Sequence, residues 1–290
     1  MPLIGTGRTV TTAASAGHGA VAFNVIQLEH VEAVIAGAEA ARAPVIVQIS
    51  ENAVRYHGAL APLARAVLSA AENARFPVSV HLDHATSVPL VREAVALGFS
   101  SVMFDASTLD YADNVKATAE IVEFCHRSGV WVEAELGEVG GKDGVHAAGA
   151  RTDPAEAAAY VDATGVDALA VAVGTSHAML TRDAELDFAL IGALHGAVPV
   201  PLVLHGSSGV SDAGLAEAVA RGMTKINIAT HLNKAFTEAV RDHLAAHPAV
   251  VDTRAYLGAG RDAVTAEVTR LLGILHTPAA PRPADSGRPL

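Results

Sequence analysis

The sequence predicts an α/β fold, a (β/α)8 TIM barrel with an additional C-terminal helix. Eight short apolar runs alternate with alanine-rich segments of helical spacing along the 290 residues. Most runs are apolar throughout, which is typical of parallel strands that are buried on both faces. Polar side chains gather where the runs end, and in such barrels that rim carries the active site.

The predicted strands are runs of five to seven residues, and most of them end on a polar residue. They comprise residues 20–25, 44–50, 77–83, 101–105, 130–135, 168–174, 201–206 and 225–230. Helical spacing between and after the runs predicts helices at 28–41, 88–97, 114–128, 154–164, 211–221, 232–246 and 261–275, after a short candidate at 11–14.

Two segments differ from this alternation. Residues 137–152 are rich in glycine and have no periodicity, and we expect a mobile lid there. Residues 277–290 are rich in proline and small polar residues, and we expect a disordered tail. The domain organisation is therefore a single barrel domain at 1–276 followed by that tail.

Composition restricts the function classes. A hydrophobic fraction of 51% indicates a globular chain, and no apolar run reaches the length needed to span a bilayer. A formal charge of −11 argues against nucleic acid or an anionic membrane as partner. The first residues do not resemble a signal peptide, and the single cysteine, Cys125, suits a reducing compartment. We expect a cytoplasmic protein.

Three histidines, His84, His177 and His205, lie at the ends of separate strands. Three imidazoles with one open position form a typical catalytic zinc site. Asp105 and Glu135, at the ends of intervening strands, could complete a second ligand set. Any one of these histidines, taken alone, could instead be a buried core residue.

Asp83 precedes His84 and is placed for proton exchange with a substrate hydroxyl. His81 lies on the same strand face as Asp83, and we expect it to orient that carboxylate. Lys225 begins its run, so we expect it to face away from the site. A Schiff-base mechanism is therefore disfavoured.

The turns after the seventh and eighth strands contain small residues, hydroxyls and backbone N–H groups. Barrels often bind phosphate at this position, close to a helix N-terminus. A phosphate site beside a metal site suggests a phosphorylated sugar whose carbonyl oxygen reaches the metal. Reactions through an enediolate are then favoured, because the metal stabilises the developing oxyanion.

Five motifs resemble those of the class II, metal-dependent fructose-bisphosphate and tagatose-bisphosphate aldolases. They occur in that family's order at residues 81–84, 132–137, 174–177, 204–206 and 227–230. The resemblance extends from the first strand to about Leu275. It implies reversible cleavage of a ketose 1,6-bisphosphate to dihydroxyacetone phosphate and a phosphorylated aldehyde such as glyceraldehyde 3-phosphate.

The resemblance also implies roles for individual residues. The catalytic Zn²⁺ would be held by His84, His177 and His205, with Asp105 and Glu135 at a second divalent position. Asp83 would exchange the proton of the aldehyde-derived hydroxyl. The expected substrate-binding residues are Asn24, Ser50, Ala178, Gly206, Ser207, Ser208, Asn227, Ile228, Ala229, Thr230 and Arg261.

Family membership would further imply a homodimer or homotetramer, a monovalent cation (Na⁺ or K⁺) near the phosphate, and an Arg261 that reaches a neighbouring subunit's site.

Two departures from the family pattern stand out. Ala178 follows His177 where a glycine is usual. Gly140-Gly141 is followed by Lys142-Asp143 in place of the usual lid glutamate, so Asp143 is the candidate for moving the triose proton.

Alternatives remain open at this point. The substrate could be fructose 1,6-bisphosphate, tagatose bisphosphate or another ketose phosphate. A metal-dependent hydrolase on the same barrel would use similar residues, although the phosphate turns would then lack a purpose. A phosphosugar-binding barrel without catalysis is favoured only by the altered lid.

Overall fold

The computed structural model describes residues 2–136, 151–176 and 179–276. Within them, eight parallel strands pair in chain order and close into a barrel through pairing of the eighth strand with the first. This confirms the (β/α)8 prediction. The strands are β1 (Ala20–Asn24), β2 (Val45–Ser50), β3 (Val78–Ala85), β4 (Ser101–Phe104), β5 (Trp131–Leu136), β6 (Ala168–Val171), β7 (Leu202–Leu204) and β8 (Met223–Ile228).

Helices follow most strands and cover the outside of the barrel. They are α1 (Thr6–Ala16), α2 (Leu28–Ala41), α3 (Glu51–His57), α4 (Ala61–Asn73), α5 (Val88–Leu97), α6 (Tyr111–His126), α7 (Pro154–Thr164), α8 (Phe188–Ala197), α9 (Asp212–Ala220), α10 (Thr230–Ala246) and α11 (Thr253–Leu275). No helix of the described residues is both long and apolar enough to cross a membrane.

Side-chain alternation along the strands produces two buried regions, the core between strands and helices and the lumen of the barrel. Val21 and Phe23 of β1 point outward into the main core between strands and helices, whereas Ala20 and Ala22 point into the barrel lumen. The same alternation places polar residues of other strands in the lumen, where they are fully buried; they include Gln48, Ser79, His81, Ser101, Glu133 and Lys225. The lumen is therefore largely polar.

Helix α1 closes the bottom of the barrel. Val10 packs against lumen residues of β1 and β2. Two hydroxyls of α1 are hydrogen-bonded to lumen residues. Thr9 Oγ1 lies 2.6 Å from Ser79 Oγ, and Ser101 Oγ donates to Thr6 Oγ1 over 2.6 Å. Apolar packing and hydrogen bonds together seal the end opposite the predicted active site.

Side-chain caps explain where many helices begin. An aspartate or serine that precedes each of them accepts a hydrogen bond from a backbone N–H of the first turn, which is worth about 1 kcal/mol per helix. These residues are Ser50, Ser87, Asp110, Asp153, Asp187, Ser211 and Asp252.

Some element boundaries differ from the sequence predictions. Helix α11 starts at Thr253 and not at Arg261, because Asp252 caps it and its internal glycines remain helical. Thr230, predicted as strand, is instead the first residue of α10. Helix α1 starts at Thr6 and is longer than the predicted segment. The predicted tail at 277–290 lies outside the described residues.

Helices α2 and α11 pack closely because a glycine lies at their contact. A Cβ on Gly37 would lie 2.5 Å from Cγ1 of Val268 and 3.1 Å from the carbonyl oxygen of Thr265. Thr269 Oγ1 also donates to the carbonyl of Gly37 over 3.4 Å. This contact fixes the C-terminal helix against the side of the barrel.

Candidate active site and metal centre

Residues from four strand ends meet at the C-terminal rim of the barrel. Asp83, His84 and His205 each offer a ligand atom within 4.8 Å of the others, and the same holds for His84, Asp105 and Glu135. The structure thus brings together two of the three predicted zinc histidines with the three predicted carboxylates. His177, the third histidine, lies outside the described residues.

An irregularity in β3 allows neighbouring residues to reach one site. The register of β3 against β4 shifts between Leu82 and Ala85, and His84 has a left-handed backbone conformation with φ of 50°. Regular alternation would have pointed Asp83 and His84 to opposite faces. A non-glycine residue in this conformation is strained, and such strain is common at functional sites.

His84 contacts the second candidate ligand set directly. Its Nδ1 lies 3.0 Å from Oδ2 of Asp105. The other oxygen of Asp105 accepts hydrogen bonds from the backbone N–H and the hydroxyl of Ser107, at 3.2 and 2.6 Å. The rings of His84 and His205 are arranged edge to face with centroids 4.6 Å apart. These contacts fix both imidazoles at the rim.

His205 lies between two carboxylates. Its Nε2 is 3.0 Å from Oε1 of Glu133, below it in the lumen, and its Nδ1 is 3.0 Å from Oε2 of Glu135, at the rim. Burial alone would lower the pKa of His205, but the hydrogen bonds to Glu133 and Glu135 raise it to about 9. Nδ1 therefore faces the candidate ligand set and Nε2 faces the barrel interior.

Asp83 is held by a chain of amide groups. Asn24 Nδ2 donates to Oδ2 of Asp83 over 2.7 Å, and Gln48 Nε2 donates to Oδ1 of Asn24 over 2.7 Å. Asn227 Nδ2 lies 3.4 Å from the other oxygen of Asp83. Burial would raise the pKa of Asp83, but the charges of His84 and Lys225 hold it well below its usual range. Asp83 is therefore an oriented, ionised acceptor.

A layer of fully buried polar residues lies beneath the rim and corrects two expectations. Lys225 is the third residue of β8 and points into the lumen, where its Nζ lies 2.8 Å from Oε2 of Glu133. His81 does not hydrogen-bond to Asp83; its Nδ1 lies 2.8 Å from Ser101 Oγ. Burial and the Lys225 charge lower the pKa of His81 to about 3, so this ring is neutral.

The predicted phosphate turns adjoin one another. Gly206 has φ of 65°, and Ser207–Gly209 form a 3₁₀ turn. The Ser207 hydroxyl is buried and donates to the carbonyl of Asn227, so it links the turn after β7 to the end of β8. Ser208 Oγ accepts from the backbone N–H of His231 over 3.2 Å. The serine hydroxyls thus connect the two turns.

The remaining residues of this region offer mainly backbone groups. The side chain of Ile228 is buried in the outer core, so only its backbone can reach a ligand. Ala229 and Thr230 stand at the N-terminus of α10, where first-turn N–H groups and the helix dipole favour an anion. This geometry suits a phosphate group.

Two other predicted contacts, Ser50 and Arg261, have partners within the chain. Ser50 ends β2, and its Oγ accepts from the backbone N–H of Ala53 over 3.2 Å as it caps α3. Arg261 is exposed on α11, and its Nη1 lies 3.1 Å from Oε2 of Glu32 on α2. In the single chain, Arg261 therefore contacts a helix of the outer layer.

Several predictions fall on residues that the structure does not describe. Ala178, Asp143 and most of the predicted lid lie outside the described residues. Thr152, the last residue of that predicted lid, is buried, and its hydroxyl donates to the carbonyl of Leu136 over 2.8 Å. Thr175 Oγ1 donates to the carbonyl of His205 over 2.7 Å, which attaches the segment after β6 to the site.

Sequence reasoning missed Gln48 and Glu133. Both are polar residues inside otherwise apolar strands, and that was the available signal. A buried polar side chain in mid-strand requires a partner, and in a barrel its partner lies across the lumen. Glu133 lies two residues before Glu135, so alternation places both on the inner face of β5.

The donor set fits a divalent cation. Imidazole nitrogens and carboxylate oxygens are the ligands that zinc accepts in catalytic sites. Asp83, Asp105 and Glu135 place three buried carboxylates close to two histidines. Buried negative charges of this density require positive charge nearby, which a metal ion would supply.

Comparison with known proteins identifies relatives over almost the full length. A family model described as fructose-bisphosphate aldolase class-II matches residues 5–278. The YdjI aldolase from Escherichia coli K12 is 33% identical, with a TM-score of 0.83 over 95% of this chain and 98% of that chain. The fructose-bisphosphate aldolase from Campylobacter jejuni, 21% identical with a TM-score of 0.78 over 94% and 95% of the chains, shows the shared fold alone.

Proposed function

Because the chain belongs to the class II fructose-bisphosphate aldolase family, we propose that it is a zinc-dependent lyase acting on a ketose 1,6-bisphosphate. Fructose 1,6-bisphosphate is the first candidate substrate, and tagatose bisphosphate is the alternative. The products are dihydroxyacetone phosphate and a phosphorylated aldehyde such as glyceraldehyde 3-phosphate. The observation that carries the proposal is the convergence of Asp83, His84 and His205 within 4.8 Å at the rim.

The metal would be held by His84, His205 and His177. A second divalent ion would use Asp105 and Glu135 together with His84. When bound, a divalent cation here supplies a Lewis acid that polarises the ketose carbonyl. The protein contributes ligands whose positions are already fixed by neighbouring carboxylates.

Asp83 acts as the proton acceptor in cleavage. It takes the proton from the hydroxyl on the carbon that becomes the aldehyde. The adjacent carbon–carbon bond then breaks, and its electron pair moves to the triose half of the substrate. In the synthetic direction Asp83 returns the proton. The hydrogen bond from Asn24 supports this role, because it orients the buried carboxylate toward one position at the rim.

The substrate's two ends are bound at different places. The triose phosphate lies at Gly206, Ser207 and Ser208 and at residues 227–230, with Ala178 beside it and a Na⁺ or K⁺ ion nearby. Ser50 contacts the aldehyde half, and Asn24 is a further substrate-binding residue. In a homodimer or homotetramer, Arg261 reaches the active site of a neighbouring subunit and binds the far phosphate of the substrate there. Asp143 moves the proton of the triose carbon. We place the protein in the cytoplasm.

A substrate panel tests the proposal. Fructose and tagatose 1,6-bisphosphates are incubated with the zinc-loaded enzyme, and release of dihydroxyacetone phosphate is measured with and without a chelator. We expect cleavage that the chelator stops and added Zn²⁺ restores. Asp83→Ala is expected to lower the rate by roughly 10²- to 10⁴-fold.

The other readings predict different results. Cleavage of a non-phosphorylated ester or amide by the zinc form, without action on either bisphosphate, would favour a hydrolase. Binding of bisphosphate without any turnover would favour a sugar-binding protein. Equal rates for Asp83→Ala and the wild type would remove the proposed role of Asp83.

A further inference from the structure

We propose that Glu133 is a positioning residue that fixes the tautomer and orientation of His205, and that Lys225 holds Glu133 in place as a carboxylate. The inference rests on the proposed metal-dependent function, because His205 is one of the residues that would hold the metal. It assigns a role to two charged residues that the proposed reaction does not itself use.

The two oxygens of Glu133 have different neighbours. Oε1 lies 3.0 Å from Nε2 of His205, while Oε2 lies 2.8 Å from Nζ of Lys225 and 3.8 Å from Nε2 of His81. All four side chains are fully buried. Glu133 therefore links the histidine of the rim to a fixed positive charge below it.

A purely structural role does not explain why this pair is charged. Burying two charged side chains carries a desolvation free energy that their mutual attraction often fails to recover. A well-packed apolar pair of similar volume would avoid this cost. The lumen accepts apolar side chains elsewhere, as Ala168, Ala170 and Val203 show. The charges at Glu133 and Lys225 must therefore serve something other than packing, and the ring of His205 is in direct contact with one of them.

The geometry specifies what Glu133 does to the ring. Glu133 is an acceptor when ionised, so Nε2 of His205 must carry the proton that it donates. Nδ1, on the side of Glu135, then faces the proposed metal site, and the proton that it shares with Glu135 is released when a metal binds. A carboxylate behind a metal-binding histidine fixes the ring's direction and strengthens its basicity.

Support for this pair continues down to α1. Ser101 donates its hydroxyl proton to Thr6 of α1, so it accepts from Nδ1–H of His81 over 2.8 Å. Nε2 of His81 is then an acceptor directed at the Glu133 and Lys225 layer. The His81 ring, held through Ser101 to α1, thus packs beneath Glu133, with Nε2 3.8 Å from Oε2.

Three variants test the inference: Glu133→Gln, Lys225→Met and the double variant. Zinc affinity is measured on the metal-free proteins by competition with a chromophoric chelator, and stability by thermal unfolding of the same samples. Glu267→Gln is the matched control, because Glu267 also faces a histidine, with His231 Nε2 2.6 Å away, but on α11.

We expect Glu133→Gln to bind zinc roughly 10- to 100-fold more weakly. Lys225→Met should lose both affinity and thermal stability, because it leaves a buried carboxylate without its cation. The double variant, which is neutral, should regain stability relative to Lys225→Met but not zinc affinity. The control should bind zinc as the wild type does.

Other results would overturn the inference. Wild-type affinity in Glu133→Gln would show that Glu133 does not position His205. Recovery of both stability and affinity in the double variant would show that the pair is structural only. A wild-type protein that binds no zinc contradicts the proposed function itself, and the inference with it. If a single variant does not fold, the double variant decides the question.

Discussion

Asp83 and His84 are adjacent in the sequence, yet their side chains reach the same cluster with His205. This is possible because His84 has φ of 50° at the point where β3 loses register with β4. The strained residue is the candidate metal ligand itself. The backbone here is therefore arranged for the site and not for the stability of the strand.

Replacement of His84 by glycine should relieve that strain. Both His84→Gly and His84→Ala remove the imidazole, and both should lose zinc affinity. Alanine retains the penalty of the left-handed conformation and glycine does not, so we expect the glycine variant to be more stable by about 1 kcal/mol. Urea unfolding of the two metal-free variants measures the difference. Equal stabilities would mean that the conformation at residue 84 carries no strain.

Replacing Gln48, the far end of the amide chain, should make Asp83 a less effective proton acceptor. In Gln48→Leu, Oδ1 of Asn24 loses its donor, so the amide that orients Asp83 is free to turn. We expect kcat/KM for the preferred bisphosphate to fall by about tenfold, the equivalent of one hydrogen bond.

The control for this prediction uses Asp83→Asn as background. Once the carboxylate is absent, Gln48→Leu should have little further effect, because both changes act through the same group. Independent, additive losses in the double variant would show that Gln48 acts elsewhere.

His30 should make the protein sensitive to acid. Its ring is buried against Phe236, and burial lowers its pKa to about 4 from 6.5. As the pH falls through 6.5, the unfolded chain takes up the proton first, so stability is lost between about pH 6.5 and pH 4. Between pH 8 and pH 5 this group should account for about 2 kcal/mol of that loss.

The comparison of wild type with His30→Gln isolates this contribution. Urea unfolding at pH 8 and pH 5 gives the change in unfolding free energy for each protein. The variant should lose less stability on acidification than the wild type. The same pH dependence in both would show that His30 is accessible to protons in the folded state.

The contact between α2 and α11 should not tolerate a larger residue at its centre. Gly37→Ala places a methyl group 2.5 Å from Val268, and we expect a loss of about 1 to 3 kcal/mol in thermal unfolding. Gly192→Ala on α8 is the matched control, since its added methyl group meets no atom within 4 Å. The control should be neutral or slightly stabilising.

A compensating change gives this prediction a second readout. Val268→Ala in the Gly37→Ala background removes Cγ1, the atom nearest to the new methyl group, while Cβ of Val268 at 2.7 Å remains, so only part of the lost stability should return. If Gly37→Ala is as stable as Gly192→Ala, the helices are able to move apart without cost.

Strand positions were predictable because polarity at run ends gives a strong local signal. Asp83, His84, Asp105, Glu135 and His205 each follow or end an apolar run, and closure of the barrel is enough to bring them together. Their convergence follows from topology and does not depend on the detailed path of any loop.

Interactions across the lumen were not predictable in the same way. The partner of Glu133 is Lys225, 92 positions away, and nothing local in either strand indicates that pairing. The left-handed conformation of His84 was also hidden, because glycine is the usual residue there. The start of α11 was misplaced because its glycines favour a loop in isolation, whereas the Asp252 cap and the packing of Gly260 against Phe236 of α10 override that preference.

Helix α1 has a consequence for the chemistry far above it. Because α1 closes the bottom of the barrel, it keeps bulk solvent away from the amine of Lys225 and the carboxylate of Glu133. The attraction between those charges would be weaker in contact with bulk water, which screens it. An N-terminal helix with no reacting group of its own thus maintains the dielectric environment in which the metal-facing histidine is held.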